Sequence, residues 1–334
     1  MAPADRWCEV CGTASPFAPS GSPVDGSPGD VGVDHRDDPP GPGSTRCLTC
    51  GAPTAGGDGW CGRCPGPWPK AHDYRELVDG KVAAVTDQGS SHWRNEDAVG
   101  VRWVECEPRG FVLVVCDGVS VSQSPHLVSR AAAESALHVL SGAVAAGGDL
   151  GGAMAVATAA AQRAAAAVPY DPKLDVGPGA CTFVAAAVRG SRAAFGSVGD
   201  SRAYWVDAQG AVQIGQDDSL AGEMLASGHL PVAQVMEGAG AHTLTRWLGV
   251  DSSDAEPAVT TAELSGPGLV LLMSDGLWTY APTLEEMARL IGPIGSESAL
   301  SLARRLVAFA NDSGGGDNIT VAIGPHDIDG QERR

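Results

Sequence analysis

No stretch of the sequence is apolar for long enough to cross a membrane, although hydrophobic residues fill 43% of its 334 positions. That argues against a spanning helix and for a buried core. The opening residues Met1-Ala2-Pro3-Ala4-Asp5-Arg6 lack the apolar segment of an export leader, so a cytoplasmic protein is expected. Positive charge is scarce: 22 Lys and Arg face 40 Asp and Glu, for a formal net charge of −18. This balance argues against a nucleic-acid surface and serves solubility. Residues 13–45 have almost no large apolar side chain and are rich in Pro, Gly, Ser and Asp. Such a stretch cannot bury a core, and a disordered linker is predicted there.

Cysteine is not scarce, and without an export leader a reducing compartment is expected, where disulfides are rare. Six of the nine cysteines fall in three Cys-x-x-Cys pairs: Cys8/Cys11, Cys47/Cys50 and Cys61/Cys64. Thiols so paired in a protein without an export leader bind metal more often than they form disulfides. Ten residues separate Cys50 from Cys61, the spacing of a four-thiolate zinc ribbon over residues 46–68. Four thiolates leave the metal no open position, so this Zn²⁺ is structural and the module is a docking element. Trp7-Cys8-Glu9-Val10-Cys11 repeats the pattern of Trp60 to Cys64 and makes residues 1–12 a partial knuckle. Cys8 and Cys11 are either an orphan pair or half of a site completed in trans.

Two apolar runs end on Asp-Gly: Phe111 to Cys116 before Asp117-Gly118, and Leu269 to Met273 with Ser274 before Asp275-Gly276. Each run reads as a buried strand. One Asp-Gly after a strand is by default a tight turn. Here Asp317 also precedes the apolar run Ile319 to Ile323, and Asn95-Glu96-Asp97 precedes another strand. Strands of one core can bring their ends to one rim. Carboxylates gathered there repel one another unless a cation lies among them. Mg²⁺ or Mn²⁺ suits such an oxygen site, and a pair of such ions activates water for attack on a phosphoryl group. Gly beside Asp also lets a backbone carbonyl approach an ion.

In chain order, strands are predicted at 81–86, 98–103, 110–116, 181–188, 192–198, 202–206 and 212–214. Residues 71–80 read as a polar link. Ser124 is the expected cap of a helix opening at Pro125 and ending near Ala146, and an Ala-rich helix follows over 149–168. Ser219 is expected to cap a short helix to about Ser227, and residues 228–257 to form an irregular flap. Thr283-Leu284-Glu285-Glu286 is a capping box opening a helix to Ile291. An amphipathic helix is expected over 296–311 with Leu300, Ala303, Leu306, Val307 and Ala310 on its buried face. Hairpins dominate the strand region, which favours an antiparallel α+β layer structure over a parallel sheet. Asp200 reads as a hydrogen-bonded turn acid, Cys116 and Cys181 as packing residues, and His229 and His242 as exposed flap residues. His35 in the linker is a weak fourth-ligand idea.

Taken together, eight short motifs resemble the PPM-type (type 2C) metal-dependent serine/threonine protein phosphatases. They are Asp87-Gln88-Gly89 with Asn95-Glu96-Asp97, Asp117-Gly118, Ala180-Cys181-Thr182, Val198 to Tyr204, Asp217 to Leu220, Leu244 to Gly249, Ser274 to Trp278 and Gly316 to Val321. They stand in family order across the domain at 81–325, leaving 326–334 as a polar tail. The resemblance implies an αββα four-layer sandwich with two Mn²⁺ or Mg²⁺ ions at one end. It implies that Asp117 bridges the ions, that Glu96 and the Gly118 carbonyl serve one, and that Asp275 and Asp317 serve the other. Asp97 would stand behind the ligands and Asn318 would steady the Asp317 loop. A hydroxide bridging the ions would attack phosphorus directly, with Asp117, Asp275 and Asp317 as the catalytic acids. The implied substrates are phosphoserine and phosphothreonine proteins, products of Ser/Thr kinases, and the implied state is a monomer.

Three departures from the family pattern stand out. Where the family has a phosphate-gripping Arg four residues before the metal-binding Glu, this chain has His92, with Arg94 two residues on. Either His92 holds phosphate when protonated, or it is an exposed loop residue and Arg94 serves instead. After Asp117-Gly118 come Val119 and Ser120, with no histidine to protonate the leaving group, so water or His92 would have to do so. The position of an acid that binds a third ion in some relatives is Gly177, with Asp175 out of register. The first departure keeps open an alternative, a weakly active adaptor that binds phosphoproteins or a kinase through its ribbon.

Overall fold

The computed structural model describes residues 72–226 and 243–327. The thiol pairs Cys8/Cys11, Cys47/Cys50 and Cys61/Cys64 lie outside the described residues, as do His35, His229, His242, the linker and the tail beyond 327.

Strand alternation builds the layers. Strand β4 (Gly110–Cys116) is buried along its whole length. Its Val112, Val114 and Cys116 pack into one apolar cluster, while Phe111, Leu113 and Val115 pack into another. Strand β12 (Gly268–Met273) does the same: Leu269, Leu271 and Met273 enter a third cluster, and Val270 and Leu272 enter the one that Phe111 shares. Successive side chains of a strand point to opposite faces, so each sheet has one face toward the other sheet and one toward helices. This is why both runs are continuously apolar rather than alternating. Each fully buried Val or Leu contributes roughly 1.5–3 kcal/mol.

One sheet has six strands in the order β1 (Tyr74–Asp79), β2 (Val82–Asp87), β13 (Ile319–His326), β12, β8 (Arg202–Asp207) and β9 (Gly210–Ile214). The other has five: β11 (Ala258–Glu263), β7 (Arg192–Val198), β6 (Phe183–Arg189), β4 and β3 (Ala98–Val104). Strands β5 (Ala180–Cys181) and β10 (Leu248–Gly249) pair apart from both. Every pairing between these named strands is antiparallel. Helices α1 (Pro125–Ala146) and α2 (Leu150–Ala166) cover the five-stranded sheet. A short helix α3 (Leu220–Ala226) follows β9. Helices α4 (Asp275–Trp278), α5 (Leu284–Ile291) and α6 (Ala299–Asp312) cover the six-stranded sheet. The order is helices, sheet, sheet, helices, as expected. Among the described residues no helix is long and apolar enough to cross a membrane.

Several local expectations need correcting. The supposed link at 71–80 contains β1, which pairs with β2 from Tyr74 opposite Asp87 to Asp79 opposite Val82. It is an edge strand with mostly exposed side chains, so no apolar stripe marks it. Strand β11 lies outside the predicted strands for the same reason. Ser124 does precede α1, but in a left-handed conformation (φ 51) and with no capping hydrogen bond from its side chain. Asp149 caps α2 properly, accepting from the amides of Gly151 and Gly152. The Thr283 capping box is present in full. Helix α6 starts at Ala299 under a Ser298 cap, and Leu302 rather than Leu300 is its first fully buried leucine.

Candidate active site

Strand register delivers the acids to one end of the sandwich. Ile319, at the start of β13, lies opposite Asp87 at the end of β2. Met273, at the end of β12, lies opposite Val321. In the other sheet Ala98, at the start of β3, lies opposite Cys116 at the end of β4. Asp317, Asp275, Glu96, Asp97 and Asp117 each lie within two residues of one of these strand ends. Hydrogen bonds across the two sheets, from Ser274 and Thr320 to Asp97 and from Glu96 to Asn318, bring their segments to one rim. The Asp117 carboxyl is pushed well above the usual range, first by burial and then by the charges of Asp97, Asp275, Asp317 and Asp200. Asp317 is pushed up by burial, then by Asp275 and Asp97. Asp97 rises to about 7, mainly through burial. Asp200 belongs to the rim too: burial raises it most, and Asp275 next.

Hydrogen bonds from distant segments fix this rim. The Asp117 amide donates to Thr182 Oγ1 (3.0 Å), and its carbonyl accepts from the Thr182 amide (2.7 Å). Asp97 Oδ2 accepts from Ser274 Oγ (2.8 Å) and Thr320 Oγ1 (2.6 Å). Glu96 Oε2 accepts from Ser120 Oγ at 2.5 Å. Its carboxyl is raised by burial, opposed by that hydroxyl and by Arg94. Asn318 ties three segments together. It accepts the Glu96 amide on Oδ1 (2.7 Å) and donates from Nδ2 to the carbonyls of Gln88 (2.8 Å) and Arg94 (2.9 Å). Two glycines are required by close approach. A Cβ on Gly89 (φ 72) would sit 2.1 Å from the Asp317 carbonyl, and one on Gly118 would sit 2.6 Å from the Glu96 carbonyl.

His92 and Arg94 part company. The His92 side chain is only 7% exposed, and its Nε2 lies 3.2 Å from Asp317 Oδ1. The expectation of an exposed loop histidine is therefore wrong: the ring turns inward because the 88–92 segment is clamped to the Gly315 carbonyl and to Asn318. Burial lowers its pKa, opposed by Asp275 and the Gly316 backbone. Arg94 instead lies with its guanidinium against His126, 2.8 Å from Nδ1, and over the Trp93 ring at 4.7 Å.

Three atoms of the rim, Asp97 Oδ1, Asp275 Oδ1 and His92 Nε2, are buried without a hydrogen-bond partner. Orphaned buried acceptors beside mutually repelling carboxylates fit hard divalent cations with oxygen ligands. Among the described residues, no three His, Cys, Asp or Glu side chains surround a single point at ligand spacing.

The helper hydroxyls of Ser274, Thr320, Ser120 and Thr182 lie outside the residues expected from the sequence. Ser274 and Thr320 sit inside the Ser-Asp-Gly and Asp-Asn-Ile-Thr motifs, so their adjacency to the acids was the available signal. Asp200 was read as a turn acid. It is a buried turn residue, but its charge also faces Asp275.

The raised carboxyls fix the sign of a pH effect. A folded state that keeps protons the unfolded chain gives up is most stable at low pH and loses stability as pH rises. For Asp97 the window runs from its ordinary 3.8 to about 7. Metal-free protein should lose on the order of a few kcal/mol between pH 5 and pH 8, measured by urea unfolding. Stability that rises across that range would contradict the geometry.

Comparison with known proteins gives concordant results. The family model described as "Protein phosphatase 2C" matches residues 88–309. The serine/threonine phosphatase stp of Listeria monocytogenes is 30% identical over 161 residues, covering 47% of this chain and 61% of that protein. The serine/threonine protein phosphatase PstP of Mycobacterium tuberculosis is 28% identical over 246 residues, covering 73% of this chain and 44% of that protein. The chain thus spans less than two thirds of the length of these curated relatives. The solved catalytic domain of a PstP in complex with two manganese ions superposes with a TM-score of 0.55 at 24% identity, covering 77% of this chain and 100% of that one. That likeness speaks for the fold.

Proposed function

Because the chain belongs to the protein phosphatase 2C family, we propose that it is a metal-dependent phosphatase acting on phosphoserine and phosphothreonine in proteins. The observation that carries this reading is the rim itself: Asp97 and Asp117 from one sheet meet Asp275 and Asp317 from the other, with buried carboxylate oxygens left unpartnered. An adaptor without catalysis would have no use for so costly a set of like charges.

Asp117, Glu96, the Gly118 carbonyl, Asp275 and Asp317 are the groups that would hold two Mn²⁺ or Mg²⁺ ions. The manganese in the related catalytic domain supports this choice. Bound ions would neutralise the acids, polarise a phosphoryl oxygen and make an attacking water more acidic. The chain's own residues do the positioning. Ser274 and Thr320 hold Asp97 Oδ2 and leave Oδ1 without a partner, and Thr182 locks the Asp117 backbone. Ser120 orients Glu96, and Asn318 sets the spacing between the Gln88–Glu96 segment and the Asp317 loop. Arg94, whose charge reaches Glu96, is the group best placed to meet a substrate phosphate, because His92 points into the rim.

The spacing of Cys47, Cys50, Cys61 and Cys64 supports a Zn²⁺ ribbon that docks a phosphoprotein or kinase, with Cys8 and Cys11 as a further pair. A cytoplasmic monomer remains our reading of composition.

The test is release of phosphate from p-nitrophenyl phosphate and from a phosphothreonine peptide. Hydrolysis should require Mn²⁺ or Mg²⁺, vanish with EDTA and return on adding Mn²⁺. Turnover indifferent to EDTA would sink the proposal.

A further inference from the structure

We propose that His92 is itself a metal ligand, placing one imidazole nitrogen in a site otherwise built from oxygen. This rests on the metal-site reading above and adds a donor to it.

The argument is geometric. The His92 side chain is 7% exposed, and Nε2 lies 3.2 Å from Asp317 Oδ1 without being aligned for a hydrogen bond. A buried ring nitrogen normally finds a partner. This one is left over, beside a carboxylate proposed to hold an ion and within the field of Asp275. The ring is not loosely placed. The Gly316 backbone interacts with it, and the His92 carbonyl accepts a hydrogen bond from Gln88 Nε2 at 2.7 Å. Ligating histidines characteristically engage a backbone carbonyl with one nitrogen and offer the other to the ion. The surrounding loops hold the arrangement: Ser90 and Ser91 amides donate to the Gly315 carbonyl at 2.8 and 3.2 Å. The segment carrying His92 and the loop carrying Asp317 are therefore tied to each other.

A nitrogen donor has a chemical consequence. Carboxylate and water suit Mg²⁺ and Mn²⁺ alike, whereas imidazole favours the later transition ions over Mg²⁺. The site should therefore discriminate against Mg²⁺ more strongly than an all-oxygen version of itself.

The experiment is pulsed EPR on the full-length protein loaded with Mn²⁺, reading nitrogen couplings to the electron spin. Natural-abundance protein should show ¹⁴N modulation from a directly bound imidazole, and protein grown with ¹⁵N-histidine should show the ¹⁵N pattern instead. His92→Gln should abolish the coupling, weaken Mn²⁺ binding in calorimetry by at least about 10-fold, and narrow the preference for Mn²⁺ over Mg²⁺. His126→Gln, which alters the neighbouring histidine next to Arg94, should leave the coupling intact. It also serves as the assignment control should His92→Gln not fold. Mn²⁺ bound without nitrogen coupling in the unaltered protein would overturn the inference and leave the oxygen site standing. Coupling that persists in His92→Gln, or disappears in His126→Gln, would also overturn it. Failure of the unaltered protein to bind Mn²⁺ at all would overturn both this inference and the function proposed above.

Discussion

Asp117→Asn is expected to cut Mn²⁺-dependent phosphate release by more than about 100-fold, a loss at least as large as that for groups that merely orient metal ligands. The same change should stabilise the metal-free protein. Asp117 is held in place by backbone bonds to Thr182, which the substitution leaves alone. What it removes is a half-buried carboxyl that faces the charges of four others. Without cations those charges oppose folding, so asparagine of nearly the same shape relieves repulsion. With cations the balance reverses, because a ligand that binds only the folded state stabilises it by mass action. The paired measurement is thermal unfolding with EDTA and with Mn²⁺. The variant should melt higher than the parent in EDTA and gain less from Mn²⁺. A variant that retains full turnover, or that melts lower in EDTA, would remove Asp117 from the centre of the site.

Arg202→Met should cost about 3–5 kcal/mol of folding stability. Arg202 and Asp217 are 5% and 6% exposed at their side chains and meet at 2.7 Å, Nη2 to Oδ2. Nε also donates to both Asp217 oxygens, Gln213 Nε2 adds a bond to Oδ1, and the guanidinium lies 3.6 Å over the Trp278 ring. Removing the cation strands a carboxylate in the interior, which is worse than removing both partners. The double change Arg202→Met with Asp217→Leu should recover much of the loss. Urea unfolding decides: a single-variant loss under about 1 kcal/mol would show that the pair is well hydrated. Trp278 Nε1 also donates to the Asp200 carbonyl at 3.0 Å. A modest fall in activity should therefore accompany the loss in stability.

The sequence made the interior of this fold legible and its borders less so. Strands such as β4 and β12 announce themselves because both faces are buried. The edge strands β1 and β11 carry mostly exposed side chains, and their membership depends on backbone pairing that no residue pattern records. Asp117, Asp275 and Asp317 could be picked out because each interrupts an apolar run at its end. Their helpers could not, since Ser, Thr and Asn look alike wherever the chain turns. His92 was the most ambiguous position, and only the clamp between its loop and Gly315 shows that the ring faces inward. Ser124 does not cap α1 because its left-handed backbone, which residue type does not reveal, turns the side chain away from that role.

The place of β13 has a consequence for synthesis. It is the last of the described strands in chain order, yet it lies inside the six-stranded sheet between β2 and β12. A nascent chain halted before Ile319 has two neighbouring strands with open edges, a state prone to aggregate. Asp317 and Asn318 arrive with the same strand that closes this gap. Completion of the acid rim and completion of the sheet therefore coincide, and a half-made chain on the ribosome has neither.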